Sequence, residues 1–544
     1  MATKSPIDPL AGGPLVLQGR IVTLDAKGTV FKDGRLYIDK SSIASVQDAA
    51  APAPQGFAAA TTLVTKGTIY PGLMELHNHL AYNALQLWQV PKRYTNRDQW
   101  AGTSDYRRLV SGPMQILGKS PDVIPALIRY VEVKTLLGGT TTSQGIALFS
   151  DAGIRRFYAG IVRNVEETSE ADLPEASTRI ADVDAVDAQT FLQRLKKQSC
   201  FLLHLSEGTD SKARAHFEAL KTGTASWAIT PQLAGIHCAA LTGADFAIYD
   251  RFGGAMVWSP FSNLLLYGAT ADVKAARAAG VRFGIGADWS PSGSKNLLGE
   301  LKVAKCWNDA NSVFSSAEIL AMATRSAATI LQWDKLLGSL EAGKRADVLV
   351  VDGEGGDPYE HVFAAHETDI ALVVINGVPR YGHAAWMTQL GMNKEALTIG
   401  SQKQALNLSQ ATQDPLVGKL SLADATTILA DALRTLPKRA KDLEKPKLTA
   451  RLRATMDAPP VWQLALDELH QTGFDVRPRL PARMGRQRTG ASAISGKGSE
   501  PLSSIVGPLQ LDPLTVADDP DFLHTVAGEK NLPAGLAAKL AQLY

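Results

Sequence analysis

The sequence predicts an α/β fold whose main part is a (β/α)8 TIM barrel, and three observations lead to this prediction. The chain has 544 residues, more than one ordinary hydrophobic core organises, so we expect a large domain with a smaller companion. Across residues 66–340, short apolar runs alternate with helical patterns, which is typical of parallel strands joined by helices. Strand-like runs also precede and follow this stretch, so we expect both flanks to supply strands.

Eight apolar runs in the middle stretch qualify as strands, which agrees with an eight-stranded barrel of this size. In chain order they are GLMELHNH, TTTSQGI, YAGIVRNV, TRIADVD, CFLLHLSEG, LAGIHC, AMVWSP and RFGIGAD. Helical patterns between them predict helices at residues 121–137, 188–197, 211–220 and 270–279.

The two flanks have strand-like sequence patterns, whereas the C-terminal part has helical ones. Residues 1–65 contain GRIVTLD, GRLYID and SIASVQD, and residues 341–395 contain ADVLVVDG and ALVVINGVPRYG, in which polar and apolar residues roughly alternate. Residues 396–544 return to helical patterns, and we predict a mostly helical extension of unknown role there. A basic, Gly- and Ser-rich stretch within it is interpreted as a linker or solvated surface; its arginines are Arg477, Arg479, Arg483, Arg486 and Arg488.

Composition excludes several classes of partner. Lys and Arg total 56 against 54 for Asp and Glu, so the formal charge of +2 creates no net field that would attract nucleic acid or an anionic membrane. Three cysteines are too few for a disulfide framework, which favours a reducing compartment. No run approaches the 18 apolar residues of a membrane span and no export signal is evident, so we expect a cytoplasmic protein.

His77 and His79 form a His-Asn-His motif at the end of the first predicted barrel strand. Residues i and i+2 of an extended chain project to the same side, so both imidazoles can bind one cation. Since the chain has ten histidines, the motif is weak evidence by itself.

Four more polar residues lie at the carboxyl ends of other predicted strands: His204 and Glu207 in FLLHLSEG, His237 in LAGIHC and Asp288 in FGIGAD. Barrel enzymes have their active sites at the carboxyl ends of the strands. Because polar groups are costly to bury, several of them at these strand ends indicate a shared function. Taken singly, each also has a structural interpretation, such as a helix-start carboxylate or a turn former. Taken together, they predict a metal site. The remaining histidines are interpreted as ordinary: His216, His361, His366, His383, His470 and His524.

Several motifs carry a resemblance to a known family. They are YPGLMELHNH, LLGGTTT, HLSEG, IHCAAL, WSPFSN, IGAD, LGSLEAGKRADVLVVD and ALVVINGVPRYG. Over residues 19–382 the chain resembles the amidohydrolase superfamily of metal-dependent hydrolases, in its deaminase and chlorohydrolase branch. The resemblance implies that the two flanks combine into a small composite β-sandwich beside the barrel, and that the part beyond about residue 400 lies outside the family.

The resemblance also implies roles for the strand-end residues. His77, His79, His204 and Asp288 would bind one divalent metal, with Zn²⁺ favoured and Fe²⁺ compatible with the same ligands. Glu207 would shuttle a proton from the metal-activated water to the leaving nitrogen. His237 would hydrogen-bond the attacking oxygen or the substrate, and Asp288 could also accept a proton.

A single metal is favoured over two. Family branches with two metals bridge them with a carboxylated lysine on the fourth strand, and the predicted fourth strand, TRIADVD, contains no lysine. Lys134 falls in a predicted helix and could replace that lysine only in a different register.

Aromatic and polar residues in the loops at this face are candidates for binding the substrate. They are Trp88, Arg97, Trp258, Asn263 and Trp289. Aromatic walls with a few donors suit a planar ring that contains nitrogen, although the tryptophans could equally pack against neighbouring helices.

The predicted activity is hydrolysis at an sp² carbon bound to nitrogen, as in deamination of an aminated heterocycle, with a small molecule as the partner. Ring opening of a cyclic amide or amidine and hydrolytic dechlorination are alternatives at the same site. A third alternative is a serine hydrolase, because Ser292 to Lys295 form an SxxK motif. A non-catalytic scaffold is the fourth, and a homo-oligomer stays open.

Overall fold

A computed structural model describes residues 7–445, 460–466 and 501–544. The predicted arginine-rich stretch lies outside the described residues. The strands are β1 (Leu15–Val22), β2 (Val30–Asp39), β3 (Ser42–Asp48), β4 (Thr61–Pro71), β5 (Leu73–Met74), β6 (Thr140–Ser143), β7 (Ala147–Ser150), β8 (Arg155–Phe157), β9 (Arg163–Asn164), β10 (Ala176–Arg179), β11 (Cys200–Leu205), β12 (Leu233–His237), β13 (Ala255–Trp258), β14 (Arg282–Ile285), β15 (Val348–Asp352), β16 (Ile370–Ile375), β17 (Val378–His383), β18 (Glu395–Ile399), β19 (Gln402–Leu406) and β20 (Trp462–Leu464).

The α-helices are α1 (Ser104–Tyr106), α2 (Gly112–Leu117), α3 (Ile124–Leu137), α4 (Ala188–Leu195), α5 (Ser211–Glu218), α6 (Gly243–Arg251), α7 (Pro260–Tyr267), α8 (Val273–Ala279), α9 (Leu297–Asn311), α10 (Ser316–Met322), α11 (Arg325–Leu331), α12 (Glu360–Ala364), α13 (Ala384–Gln389), α14 (Leu422–Arg434), α15 (Leu436–Glu444), α16 (Leu502–Ile505), α17 (Phe522–Ala527) and α18 (Leu536–Gln542). No helix in the described part of the chain is long and apolar enough to cross a membrane.

Both flanks of the middle stretch meet in one nine-stranded sheet, with the order β18-β19-β17-β16-β15-β4-β1-β2-β3. The N-terminal and C-terminal halves join where β4 pairs antiparallel with β15. Strands β18 and β19 extend this sheet to Leu406, past the predicted start of the extension at residue 396. Because β4 leads through Gly72 directly into β5, the sheet anchors the strand that carries the His-Asn-His motif.

Eight parallel strands lie in two further sheets, β10-β11-β12-β13-β14 and β5-β6-β9. Backbone hydrogen bonds connect the two sheets on both sides. The amide of Ala176 donates to the carbonyl of Val165 at 2.8 Å, and the amide of Leu76 donates to the carbonyl of Ile285 at 3.2 Å. The predicted α/β class is confirmed.

Alternation along the strands decides which side chains point into this parallel assembly. Cys200 and Leu202 of β11 belong to one buried apolar cluster with Ala234 and Ile236 of β12. The same alternation places His204 on that face, at the end of β11. An apolar strand therefore delivers a histidine to the carboxyl edge of the sheet.

Two predicted strands differ from the observed ones. Most of YAGIVRNV is irregular, and only Arg163–Asn164 forms a strand there. TRIADVD begins in β10, but the strand ends at Arg179. Beyond Arg179, guanidinium groups bind the backbone carbonyls that a neighbouring strand would otherwise pair with. Arg97 Nη1 donates to the carbonyl of Ile180 at 3.0 Å, and Arg179 Nε donates to the carbonyl of Ala181 at 2.6 Å.

Candidate metal centre

The segment after β5 brings His77 and His79 against the segment after β14. The amide of Asp288 donates to the carbonyl of His77 at 3.1 Å, and the amide of His79 donates to the carbonyl of Asp288 at 2.6 Å. This approach requires Gly286, because a Cβ there would lie 2.4 Å from the carbonyl oxygen of His77. The glycine of the IGAD motif therefore lets three predicted ligands meet.

The four predicted metal ligands converge. Asp288 Oδ1 lies 3.0 Å from His77 Nε2 and 3.4 Å from His79 Nε2. The His204 ring centroid lies 4.7 Å from that of His77 and 5.3 Å from that of His79. Ligand atoms of His77, His79 and Asp288 all lie within 4.8 Å of one another, as do those of His77, His204 and His237.

The donor set fits a divalent metal such as zinc. His77 is fully buried, and its Nε2 has no hydrogen-bond partner among the described residues. Its Nδ1 lies 3.2 Å from Gln144 Oε1, which already accepts from the amide of Asn78. Since that oxygen only accepts, Nδ1 carries the proton, and the lone pair of Nε2 is left for a cation.

Burial shapes the electrostatics of these ligands. It lowers the pKa of His77, and it lowers the pKa of His204 further, with the neighbouring imidazoles of His77 and His79 adding to the effect. Burial acts to raise the pKa of Asp288, but the imidazoles around it, above all His77, outweigh burial and hold that pKa below its usual value. Neutral imidazoles beside an ionised carboxylate are the protonation states that a divalent cation requires.

Two of the site residues have strained backbones. His237 and Asp288 have φ values of 68° and 67°, in the left-handed region that costs a non-glycine residue on the order of 1–3 kcal/mol. Strict alternation along β12 would place His237 on the face opposite Ile236. The left-handed turn redirects its ring, whose centroid lies 5.2 Å from that of His77.

Glu207 and His237 lie beside the ligands, and each is held in place by a hydrogen bond to another residue. Glu207 Oε2 lies 3.9 Å from His237 Nε2, and Glu207 Oε1 accepts from the Tyr267 hydroxyl at 2.7 Å. Trp100 Nε1 donates to that hydroxyl at 2.9 Å. His237 Nδ1 lies 2.9 Å from Asn263 Oδ1, which fixes the orientation of the ring. A carboxylate held in this way can receive a proton and release it close to the cation.

Gly208 brings the loop that contains Arg97 next to Glu207. It has a φ of 139°, and a Cβ there would lie 2.4 Å from the carbonyl oxygen of Thr95. Arg97 is buried and lines a small space together with Trp289, Glu207 and other residues of the centre. That space measures about 30 Å³, which is room for one or two water molecules.

The five predicted substrate contacts have different surroundings. Arg97 and Trp289 line the space at the metal centre, and the Trp289 ring lies 5.5 Å from that of His79. Asn263 instead orients His237, so its observed contact is with a site residue.

Trp88 and Trp258 do not line the space at the metal centre. Trp258 is fully buried, its indole donates to Thr270 Oγ1 at 2.7 Å and its ring packs on Trp307. Trp88 packs against Tyr106, with ring centroids 5.8 Å apart. The rings of both residues are buried in the hydrophobic core, and their contact with the substrate stays a prediction.

Sequence reasoning missed Gln144 and Tyr267. Gln144 directly follows β6, so its position at a strand end could have marked it. Tyr267 ends α7, and nothing in its sequence neighbourhood pointed to the contact with Glu207.

The lysine of the SxxK motif, Lys295, is not available as the base of a serine hydrolase. Lys295 Nζ lies 2.5 Å from Asp512 Oδ1 and 2.7 Å from Asp519 Oδ2. Ser292 Oγ accepts from Trp289 Nε1 at 2.5 Å. Serine and lysine are thus engaged with different partners. Lys134 is likewise paired with Asp512, away from the position of a bridging lysine.

A buried glutamate supports the loop that follows Asp288 and predicts a pH effect. Glu300 accepts from the amide of Phe261 at 2.9 Å and from Ser294 Oγ at 2.5 Å, and burial raises its pKa to about 8 from 4.5. Between about pH 5 and pH 8 the folded chain therefore binds a proton that the unfolded chain has released, so stability falls as pH rises. We expect the Tm of Glu300→Gln to fall less than that of the unmodified chain from pH 5.5 to pH 8, as measured by calorimetry. Equal decreases in both proteins would contradict this assignment.

Comparisons with known proteins match part of the chain to a known family. Residues 202–379 match the Amidohydrolase family. A 5-methylthioadenosine/S-adenosylhomocysteine deaminase of Thermoanaerobacter pseudethanolicus is 31% identical over 153 residues, which cover 26% of this chain and 36% of that protein. At this level of identity the chain thus spans about a third of the length of the curated relatives it matches. A deaminase of the same description from Syntrophobacter fumaroxidans is 24% identical, covering 67% of this chain and 91% of the relative.

A solved structure shows the same fold. The adenosine deaminase from Xanthomonas campestris with bound zinc superposes with a TM-score of 0.52 at 18% identity, covering 69% of this chain and 94% of that one. The predicted resemblance to the amidohydrolase superfamily is confirmed by the family match over residues 202–379. The relatives are named deaminases, and deaminases belong to the predicted enzyme class, hydrolases that act on carbon–nitrogen bonds other than peptide bonds.

Proposed function

We propose that the chain is a metal-dependent hydrolase that deaminates an aminated heterocycle. The observation that carries the proposal is the convergence of His77, His79, His204 and Asp288 beside Glu207. In this proposal the eight parallel strands act as one (β/α)8 barrel, and its carboxyl edge holds the site. The names of the relatives direct the choice of substrate towards adenine nucleosides.

The four ligands would hold one divalent cation, with Zn²⁺ favoured. A cation there supplies a Lewis acid that lowers the pKa of a coordinated water. A single ion agrees with the engagement of Lys134 elsewhere.

The chain's own residues supply proton transfer and orientation. Glu207 takes a proton at its carboxylate and gives it to the departing nitrogen, while the Tyr267 hydroxyl fixes its orientation. The attack forms a bond between oxygen and the sp² carbon, the bond from that carbon to the amino nitrogen breaks, and ammonia leaves. His237, whose Nδ1 is held by Asn263, is proposed to hydrogen-bond the attacking water or the substrate through Nε2.

Arg97 and Trp289 are proposed to contact the ring. Arg97 is nearly fully buried at the metal centre, and its Nε has no hydrogen-bond partner among the described residues. A ring nitrogen is an acceptor that would satisfy this donor, because buried polar groups in folded proteins are nearly always paired.

The test of the function is release of ammonia from a panel of adenine nucleosides, guanine and aminated triazines by zinc-loaded and iron(II)-loaded protein. Ammonia release that depends on the metal supports deamination. Chloride release from chlorinated triazines without ammonia from any amine would favour the dechlorinase alternative. A protein that turns over no compound and binds no metal would favour the scaffold alternative.

Loss of a ligand is expected to weaken metal binding. Replacing His204 or Asp288 by Ala removes one of four ligands, so we expect the dissociation constant for zinc to rise at least about 100-fold, measured by competition with a chromogenic chelator. His524→Ala is the matched control, because His524 is exposed and distant in sequence from the site. Unchanged zinc affinity in both ligand variants would contradict the assignment.

A further inference from the structure

A second, larger cavity adjoins the metal centre from the side. It measures about 270 Å³, close to the lower end of ordinary small-molecule sites at roughly 300 Å³. It lies between the residues after His79, the residues after β6, and β10. Phe157 of β8 and Ala465, which directly follows β20, complete its wall. We refer to it as the side cavity.

The side cavity occurs where the outer layer of helices is interrupted. The connections from β6 to β9 and from β9 to β10 carry no α-helix, and both lie wholly within the described residues. The first of these connections contains β7 and β8 instead, and β20 pairs with β7 to complete a three-stranded sheet. Since β20 and Ala465 belong to the C-terminal extension, part of this wall comes from that extension.

Polar side chains around the side cavity are paired with one another. Thr178 links two of them, because Gln144 Nε2 donates to its Oγ1 at 3.2 Å and its hydroxyl donates to Glu166 Oε1 at 2.6 Å. Ser177 donates to Gln198 Oε1 at 2.7 Å. These polar groups are engaged within the wall, so much of what remains to contact a ligand is apolar: Leu80, Ala81, Ile146, Ala147, Phe157, Ile180 and Ala465.

The charges around the side cavity disfavour an anion. Glu166 and Glu175 both line it. Arg179 lines it too, but its guanidinium donates to the backbone carbonyls of Ala181 and Asp182. A phosphate or carboxylate would therefore meet two carboxylates and a guanidinium that is already engaged, and such a juxtaposition rejects a ligand by electrostatic repulsion.

The side cavity and the catalytic space share two lining residues, the metal ligand His79 and Ile180. The catalytic space of about 30 Å³ cannot hold a heterocycle with a substituent. A ligand that reaches Glu207 therefore needs neighbouring volume, and the side cavity offers it next to a metal ligand.

We propose that the side cavity binds an uncharged, mainly apolar substituent of the substrate while the aminated ring reaches Glu207. This proposal rests on the proposed function. It makes the chain selective for heterocycles with an apolar group and against those with a phosphate.

The experiment narrows the side cavity with Ala147→Phe and uses Ala147→Ser as the matched control. Three probes are compared in the metal-loaded, full-length protein: adenine, an adenine nucleoside with a butylthio group at the 5′ carbon, and adenosine 5′-monophosphate. We expect Ala147→Phe to raise KM for the butylthio nucleoside about 10-fold or more, because burial of several methylene groups is lost, with kcat and the KM for adenine little changed. Ala147→Ser adds little volume, so its KM for the butylthio nucleoside should rise much less than that of Ala147→Phe. The unmodified chain should favour the butylthio nucleoside over the monophosphate.

Two further measurements keep the result decisive. Phe157→Ala enlarges the same cavity and is expected to lower KM for a bulkier alkylthio group. The two proposals are tested by different measurements. Absence of ammonia from every probe defeats the proposed function. Calorimetric binding of the three probes tests the cavity proposal, which requires that Ala147→Phe weaken binding of the butylthio nucleoside selectively. Equal affinity in the Phe and Ser variants, equal weakening for adenine, or a preference for the monophosphate would overturn it.

Discussion

Replacing Glu207 by Gln is expected to lower kcat by about 10²- to 10⁴-fold while the zinc content stays that of the unmodified chain. Glutamine keeps the shape of the side chain, and its carbonyl oxygen can still accept from the Tyr267 hydroxyl, which now lies 2.7 Å from Glu207 Oε1. What the amide lacks is a site that takes up a proton and releases it. We therefore expect ammonia release to fall strongly while elemental analysis shows full metal occupancy.

Tyr267→Phe is the companion variant for this prediction. It removes the hydroxyl that orients the carboxylate but leaves the carboxylate itself, so we expect a smaller decrease in kcat than in Glu207→Gln. If Glu207→Gln retained most of the activity, proton transfer would have to be assigned to another group, such as Asp288. If it lost zinc as well as activity, Glu207 would be part of the metal site.

The convergence of the candidate ligands could be predicted from sequence because each occupies a strand end in a local motif. His204 follows from alternation along β11, and His77 and His79 follow from the i, i+2 spacing. The position of His237 could not be derived in this way, since its ring is redirected by a left-handed backbone that alternation does not contain. Its place at the end of LAGIHC predicted that it belongs to the site, and the similarity to known motifs supplied its role there.

Contacts between distant segments were beyond the sequence argument. Trp258 and Trp289 looked alike as strand-end tryptophans, but one packs on Trp307 in the core and the other lines the metal centre. Which way such a ring turns depends on helices far away in the chain. The early end of β10 has the same kind of cause, because Arg97 from another loop binds the carbonyl of Ile180.

The C-terminal extension holds the other feature that sequence could not show, a buried ionic cluster. Asp512 is 1% exposed and pairs with both Lys134 and Lys295. Lys134 also donates to the carbonyl oxygen of Asn83 at 2.8 Å and to Ser290 Oγ at 3.0 Å. These two residues belong to the loops that follow His79 and Asp288, so the extension is bonded to the loops next to the metal centre.

Replacing Asp512 by Ala is expected to lower the free energy of unfolding by about 3–5 kcal/mol, the usual cost of breaking a buried ion pair from one side. Burial already lowers the pKa of Lys134 to about 8, and Asp512 opposes that effect. Without the carboxylate, the Lys134 ammonium keeps only neutral partners, while Lys295 keeps Asp519 at 2.7 Å. Denaturant or thermal unfolding of the metal-free and metal-loaded protein measures the loss.

A double-mutant cycle identifies the cause of this loss. If an uncompensated ammonium destabilises Asp512→Ala, then adding Lys134→Met should recover part of the stability, because the apolar side chain has no charge to leave unpaired. Asp521→Ala, on an exposed residue of the same segment, should change stability by no more than about 0.5 kcal/mol. A loss below about 1 kcal/mol in Asp512→Ala, or a double variant no more stable than the single one, would mean that the extension is held by its apolar contacts and that the cluster contributes little.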